Sequence, residues 1–294
     1  MFVLLAIAAW SYGPIIVSLS HTLRTSDDYS AGQLVPLAAI FFVWHKRKTL
    51  KETQVAPCWA GGIGLLVLAE AARLYGYLSM RQSIERYAIA VAVAGIVLLV
   101  AGRQVFRRVI CILLFLFLMV PLPGVVYNLI SLPLQRQATT ASVYLLEVVV
   151  PDVSQEGNIV VLGEDMHVAV TEACSGLRML TAFIIVAAFI AFMVKRARWQ
   201  KAALLAMSIP VAVICNVLRI FVTGALSFYV SEELAGKFFH DFAGLVMMPV
   251  AVSLLFAGLR LTDRLIVPET GTQEKTTVIR AKSVRTTSPT RLPA

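Results

Sequence analysis

The chain has 294 residues, of which 59% are hydrophobic and 15% charged, and its mean hydropathy is +0.80. That balance excludes an ordinary soluble domain, because stretches near the ~20 apolar residues that cross a bilayer recur along the chain. A net charge of +9 and a pI near 9.6 would suggest nucleic acid for a soluble protein; in a bilayer protein the basic residues anchor loops, and no nucleic-acid partner is expected.

Only helices and closed barrels satisfy backbone polar groups in lipid. A barrel alternates apolar and polar residues over segments of ~10 residues, and these runs do not alternate. The expected fold is all-α and polytopic, with about eight transmembrane helices and a short extracytoplasmic hairpin before the sixth.

The first span is expected near 1–20. "MFVLLAIAAWSYGPIIVSL" has no positive n-region and no clear small-residue cleavage site, so it reads as a retained span rather than a signal peptide. Further spans fall near 29–45, 57–75, 86–102 and 108–127. The second and fourth are short, and the third carries Glu70 and Arg73, which either pair at i,i+3 or lie at the interface. The segment 128–175 follows. "NLISLPLQRQATTASVYLLEVVV" is apolar but broken by Pro133 and Arg136, as in a re-entrant or interfacial helix, and "NIVVLGEDMHVAV" has two β-rich runs flanking Gly163-Glu164-Asp165, the pattern of a hairpin. The last spans lie near 176–194, 202–224 and 241–260. The tail 268–294 is rich in Thr, Ser, Lys and Arg and is expected to be disordered and cytoplasmic. No internal repeat is evident. The chain divides into N-terminal helices (1–127), a core with its extracytoplasmic segment (128–267), and the tail.

Basic residues orient these spans. With a cytoplasmic N-terminus, the inner loops and tail hold 18 Lys and Arg residues and the outer segments hold six, leaving Arg178 and Arg219 inside helices. The excess satisfies the positive-inside rule. Both termini are expected in the cytoplasm of a multi-pass protein of the cell membrane.

Cys58, Cys111, Cys174 and Cys215 show no CxxC spacing, so neither a metal site nor a disulfide framework is signalled. Cys111 and Cys215 sit in apolar runs, where cysteine behaves as a small hydrophobe, and Cys58 lies at a helix edge. Cys174 differs, because it stands at a polar–apolar boundary in "TEACSGLRML". In this arrangement Cys174 opens the sixth span, Arg219 lies near the outer end of the seventh, and His240 opens the eighth. All three share one side of the membrane.

These residue types suit acyl transfer. A thiol attacks an amide as thiolate, and a helix N-terminus or nearby cation lowers its pKa. A histidine shuttles the proton to the leaving amine. An arginine stays charged and holds a developing oxyanion, and inside a span it is a functional candidate by default. Glu172, Ser175 and Asn216 are candidate supporting residues; Asn216 lies three residues before Arg219, on the same helix face. His21, His45 and His167 lack such company and read as surface or interface residues.

"EACSGLRML", "NVLRIFVTG" and "HDFAGLVMM", in that order, resemble the motifs of the exosortase/archaeosortase family of membrane cysteine transpeptidases, over roughly residues 120–260. The resemblance implies a Cys174–Arg219–His240 active site without cofactor or metal. Its substrates would be membrane-anchored proteins with a C-terminal sorting signal of the Pro-Glu-Pro (PEP-CTERM) type: a motif, a transmembrane helix and a basic tail. The enzyme would cleave near the motif and transfer the product to a cell-envelope acceptor, in settings linked to exopolysaccharide. A hydrolytic protease would use the same residues with water resolving the thioester. A transporter or lipid-binding membrane scaffold would instead use Arg219 as a structural or anion-binding residue. That class predicts polar residues near the midplane of paired spans, and the sequence has few.

The charge bias sets an expected outcome for topology reporters. Fusions at residue 160 should report the outside and fusions at residue 198 the cytoplasm; a cytoplasmic signal at 160 would reverse the orientation.

Overall fold

The computed structural model describes residues 2–163, 166–169, 176–230 and 243–265. Among them are nine α-helices and one small sheet: α1 (Phe2–Thr25), α2 (Leu34–His45), α3 (Arg47–Lys51), α4 (Trp59–Leu78), α5 (Gln82–Leu116), α6 (Gly124–Leu146), then β1 (Val153–Glu156), β2 (Ile159–Leu162) and β3 (Met166–Ala169), and finally α7 (Leu177–Met193), α8 (Arg198–Tyr229) and α9 (Ala243–Leu265). The tail 268–294 lies outside the described residues.

Two of these elements are long and apolar enough to cross a membrane, Gln82–Met119 and Arg198–Tyr229, and the shorter apolar helices Leu177–Met193 and Val246–Arg260 accompany them. The bundle carries large apolar side chains outward, among them Trp10 at 88% exposure and Leu129 at 73%. Water would penalise such a surface, whereas lipid accepts it.

Several element boundaries differ from those expected. The stretch expected as the second span begins with a 3-10 turn, Asp27–Gln33, and its helix has only 12 residues. The expected span at 108–127 is interrupted. Helix α5 ends at Leu116, a 3-10 turn covers Phe117–Met119, and α6 starts only at Gly124. The run Val120-Pro121-Leu122-Pro123 explains the break, since proline lacks an N–H and clashes with the preceding turn. The hairpin forms, with β2 and β3 antiparallel and Val160 opposite Val168. A third strand, β1, which the sequence pattern did not reveal, adds to the other side of β2. Glu70 and Arg73 meet at 3.5 Å, while His21 and His45 are exposed. The side chain of His167 lies outside the described residues.

Four apolar clusters hold the helices together. Helices α1, α4 and α5 pack around Tyr12, Ala69 and Ala88, and α2, α5 and α7 around Phe42, Phe115 and Ile185. Helices α7, α8 and α9 enclose Phe183, Cys215 and Leu255. Helices α6 and α8 close over the sheet through Leu146, Leu162 and Ile220. The turn at Asp27–Gln33 ties the first half to the second: Tyr127 of α6 donates to the Asp28 carboxylate at 2.8 Å, and Thr181 of α7 donates to the Asp28 carbonyl at 3.1 Å.

Gly102 divides α5. Its φ of +81° and ψ of −179° are non-helical, a combination essentially restricted to glycine, and a Cβ there would stand 1.7 Å from the Ala56 carbonyl oxygen. The residue also forms a parallel bridge with Ala56, beside the Cys58 N–H donated to the Leu98 carbonyl at 3.3 Å. Gly102→Ala is expected to destabilise the protein by at least ~1–3 kcal/mol, read as a lower melting temperature in detergent. An unchanged melting temperature would mean the chain bends there without strain.

Candidate active site

Helix α8 carries two of the candidate side chains. Asn216 and Arg219 are 1% and 4% exposed, and Ser208 and Ser227 are buried on the same helix. Spacings of three to four residues keep Asn216 and Arg219 on one face. Helix α8 packs on α6, where Asn216 lies beside Leu134 and Ala138, and α6 buries polar residues of its own: Ser131, Gln135, Thr139 and Ser142. The Ser142 hydroxyl, fully buried, donates to the Ala138 carbonyl at 2.7 Å and also reaches the Val217 carbonyl at 3.1 Å. Thr223 donates to the Arg219 carbonyl at 2.8 Å. The backbone bearing Asn216 and Arg219 is thus braced from α6 and from the next turn of its own helix.

The start of α7 reaches the same place. Gly176 is its N-cap, with φ +79° in the left-handed region, where glycine avoids the cost of a Cβ. Its carbonyl accepts the first helical bond from the Leu180 N–H at 2.8 Å. A Cβ on Gly176 would stand 2.9 Å from Asn216 Nδ2, so space as well as conformation selects glycine. A void of about 10 Å³, lined by Gly176, Leu180, Ala138 and Asn216 among others, marks where α6, α7 and α8 meet. That is room for about one water.

Arg178, partly buried in the first turn of α7, lies near Arg219. The sequence reading placed Arg178 only as an arginine within a helix and gave it no role. Its one local signal is that a cation in the first turn of a helix opposes the positive end of the macrodipole; its place beside Arg219 comes from packing. The buried row on α6 was also missed, because Ser, Gln and Thr within an apolar segment resemble interruptions until the helix is seen packed.

Of the residues singled out from sequence, Asn216 and Arg219 therefore share one buried face beside Gly176. Cys174, Glu172, Ser175 and His240 lie outside the described residues. Cys215 is fully buried, Cys58 is partly buried at the start of α4, and Cys111 is exposed on the surface of α5.

Residues 23–257 match the model of the family described as "Transmembrane exosortase". The match starts about a hundred residues before the stretch that carries the three motifs, and so takes in the Asp27–Gln33 turn and helices α2 to α5. Nothing matches among curated proteins or among solved structures.

The Gly176–Asn216 approach makes a quantitative prediction. Gly176→Ala should destabilise the protein by about 1–2 kcal/mol for the left-handed backbone alone, plus a steric contribution from Asn216. Asn216→Ala should relieve the steric part, so that the double variant melts higher than the sum of the two single effects predicts. Strict additivity in thermal melts would show that the contact is not tight.

Proposed function

The chain belongs to the transmembrane exosortase family, a family of membrane cysteine transpeptidases, and on that premise we propose that it cleaves C-terminal sorting signals of exported proteins and transfers the product to a cell-envelope acceptor. The observation that carries this reading is Arg219. It is 4% exposed in an apolar helix, one turn from Asn216, and Asn216 touches the residue two places along the chain from Cys174. Chain connectivity alone keeps the Cα atoms of Cys174 and Gly176 within about 7 Å of each other.

In this proposal the Cys174 thiolate attacks the carbonyl carbon of the scissile amide. A C–S bond forms, and the carbonyl oxygen takes up negative charge. Arg219, already desolvated and fixed by its helix, stabilises that oxyanion in a low-dielectric setting where such a contact is strongest. His240 gives a proton to the leaving nitrogen, the C–N bond breaks, and a thioester remains on Cys174. An amine acceptor, or water in the hydrolytic variant, then attacks the thioester and releases the thiolate. Glu172, Ser175 and Asn216 orient these groups, and Arg178 adds a second positive charge to hold an anionic intermediate. The reaction stays within the chain's own side chains and the two substrates, and the proposal invokes no cofactor or metal.

The same proposal adopts about eight spans with cytoplasmic termini, a catalytic core over 128–267 and the reaction on the extracytoplasmic face. The exposed apolar surface and the basic bias of the loops support it. Partners would be substrate proteins anchored by their own signal helix, together with the surrounding bilayer.

Cleavage of a sorting-signal substrate, measured together with protein abundance, tests the assignment. Cys174→Ala should abolish cleavage, while Cys58→Ala, Cys111→Ala and Cys215→Ala retain it. Arg219→Ala should slow the chemical step by ~10²–10³-fold, the scale on which one oxyanion donor acts, and Arg219→Lys should recover only part of that because the planar fork is lost. His240→Ala should be inactive at normal abundance. Full cleavage by Cys174→Ala would end the nucleophile assignment. Loss of Arg219→Ala protein along with activity would favour a structural arginine and the scaffold reading.

A further inference from the structure

At the opposite end of α7 and α8 from Gly176 and Arg219, a groove of about 760 Å³ opens between α2, α5, α7 and α8. Its walls are apolar, with Cys111 and Leu114 from α5, Leu118 from the 3-10 turn that follows it, Ala188 from α7 and Ala206 and Ile209 from α8, and two lysines, Lys46 and Lys201, close one end. We propose that this groove is a binding site for an anionic phospholipid, with an acyl chain along the apolar walls and the charged headgroup between Lys46 and Lys201.

Three observations support that occupant. The Lys46 ammonium is held in place: it donates to the Arg108 carbonyl at 3.0 Å and sits 4.6 Å above the Phe192 ring, itself part of the groove wall. A fixed ammonium is a better headgroup anchor than one sampling many rotamers, because less freedom is lost on binding. The surrounding charge is one-signed. The segments 45–58, 103–108 and 195–201 hold eleven Lys and Arg residues and a single acid, Glu52, and basic pockets between transmembrane helices favour anionic headgroups. Charge also disfavours the substrate's own helix: a sorting-signal helix would bring its basic tail against these lysines, like charge against like. The site is separate from the proposed catalytic groups, and its occupancy is measurable without any cleavage.

The test uses the full chain in nanodiscs of mixed phosphatidylcholine and phosphatidylglycerol, followed by native mass spectrometry of retained lipid. Wild-type protein should retain phosphatidylglycerol in preference to phosphatidylcholine. Lys201→Gln, which leaves the Lys46 contacts intact, should reduce that preference about fivefold, and Lys46→Gln with Lys201→Gln about thirtyfold, on the scale of one lysine near an anionic surface. Ala206→Phe, which fills the groove without altering charge, should displace the lipid at unchanged headgroup charge. Cys111 supplies a second readout: a membrane-permeant maleimide, mapped at the peptide level, should label Cys111 more slowly when phosphatidylglycerol is present. Equal retention of the two lipids by wild-type protein would overturn the proposal. So would a preference that survives the double lysine substitution, or a co-purifying peptide found in the groove instead of lipid.

Discussion

A guanidinium that is 4% exposed within an apolar helix is among the most expensive groups this protein buries, and the helix that carries it is braced against α6. Both helices bury polar residues, Ser131 to Ser142 on α6 and Ser208 to Ser227 on α8, and the Ser142 hydroxyl links them at the Val217 carbonyl. Polar residues at helix contacts supply hydrogen bonds that hydrocarbon cannot, though each is worth only ~0.6 kcal/mol on average. Their value here is positional. The Ser142 hydroxyl beside the Val217 carbonyl fixes the rotation of α8, and with it the direction in which Asn216 and Arg219 point. Leu146 and Ile220 pack against Leu162 of the sheet beside this contact.

The remainder of the fold holds that interface in place. The short 3-10 turn at Asp27–Gln33 is small, yet it touches α6 through Tyr127, α7 through Thr181 and α1 through Gln33, whose side chain donates to the Leu23 carbonyl at 2.6 Å. Helices α2 and α5 then pack on α7 through Phe42, Phe115 and Ile185. The family match begins at residue 23, just before this turn, which agrees with a unit in which the N-terminal helices are structurally joined to the part bearing the motifs.

Much of this was legible in the residues because the bilayer simplifies the code. Long apolar runs declare helices, and the i,i+3 spacing of Asn216 and Arg219 declares a shared face. The β2–β3 hairpin followed from an equally local rule, whereas spacing left Glu70 and Arg73 either paired or at the interface, and the 3.5 Å contact decides for the pair. What escaped were features decided by packing. Nothing local in Val153–Glu156 announces a strand, since its register comes from β2. Gly102 reads as an ordinary glycine between two apolar runs until the Ala56 carbonyl is seen lying where its Cβ would be. Arg178 was counted but left without a role, because its closeness to Arg219 depends on how α7 docks on α8.

The two ends of α7 and α8 show how burial divides the work of one residue class. At one end Lys46, Lys201 and the neighbouring arginines keep contact with water or headgroups, where a charge is cheap and acts over a broad surface. At the other, Arg219 is surrounded by protein, and a low dielectric magnifies its effect on any charge that develops nearby. An exposed arginine would be screened and would stabilise an oxyanion only weakly. A buried one, fixed on a braced helix, needs no reorganisation when the charge appears. On the proposed reading, the costly burial of Arg219 and the polar residues of its helix belong to one arrangement, suited to charge that exists only during a reaction.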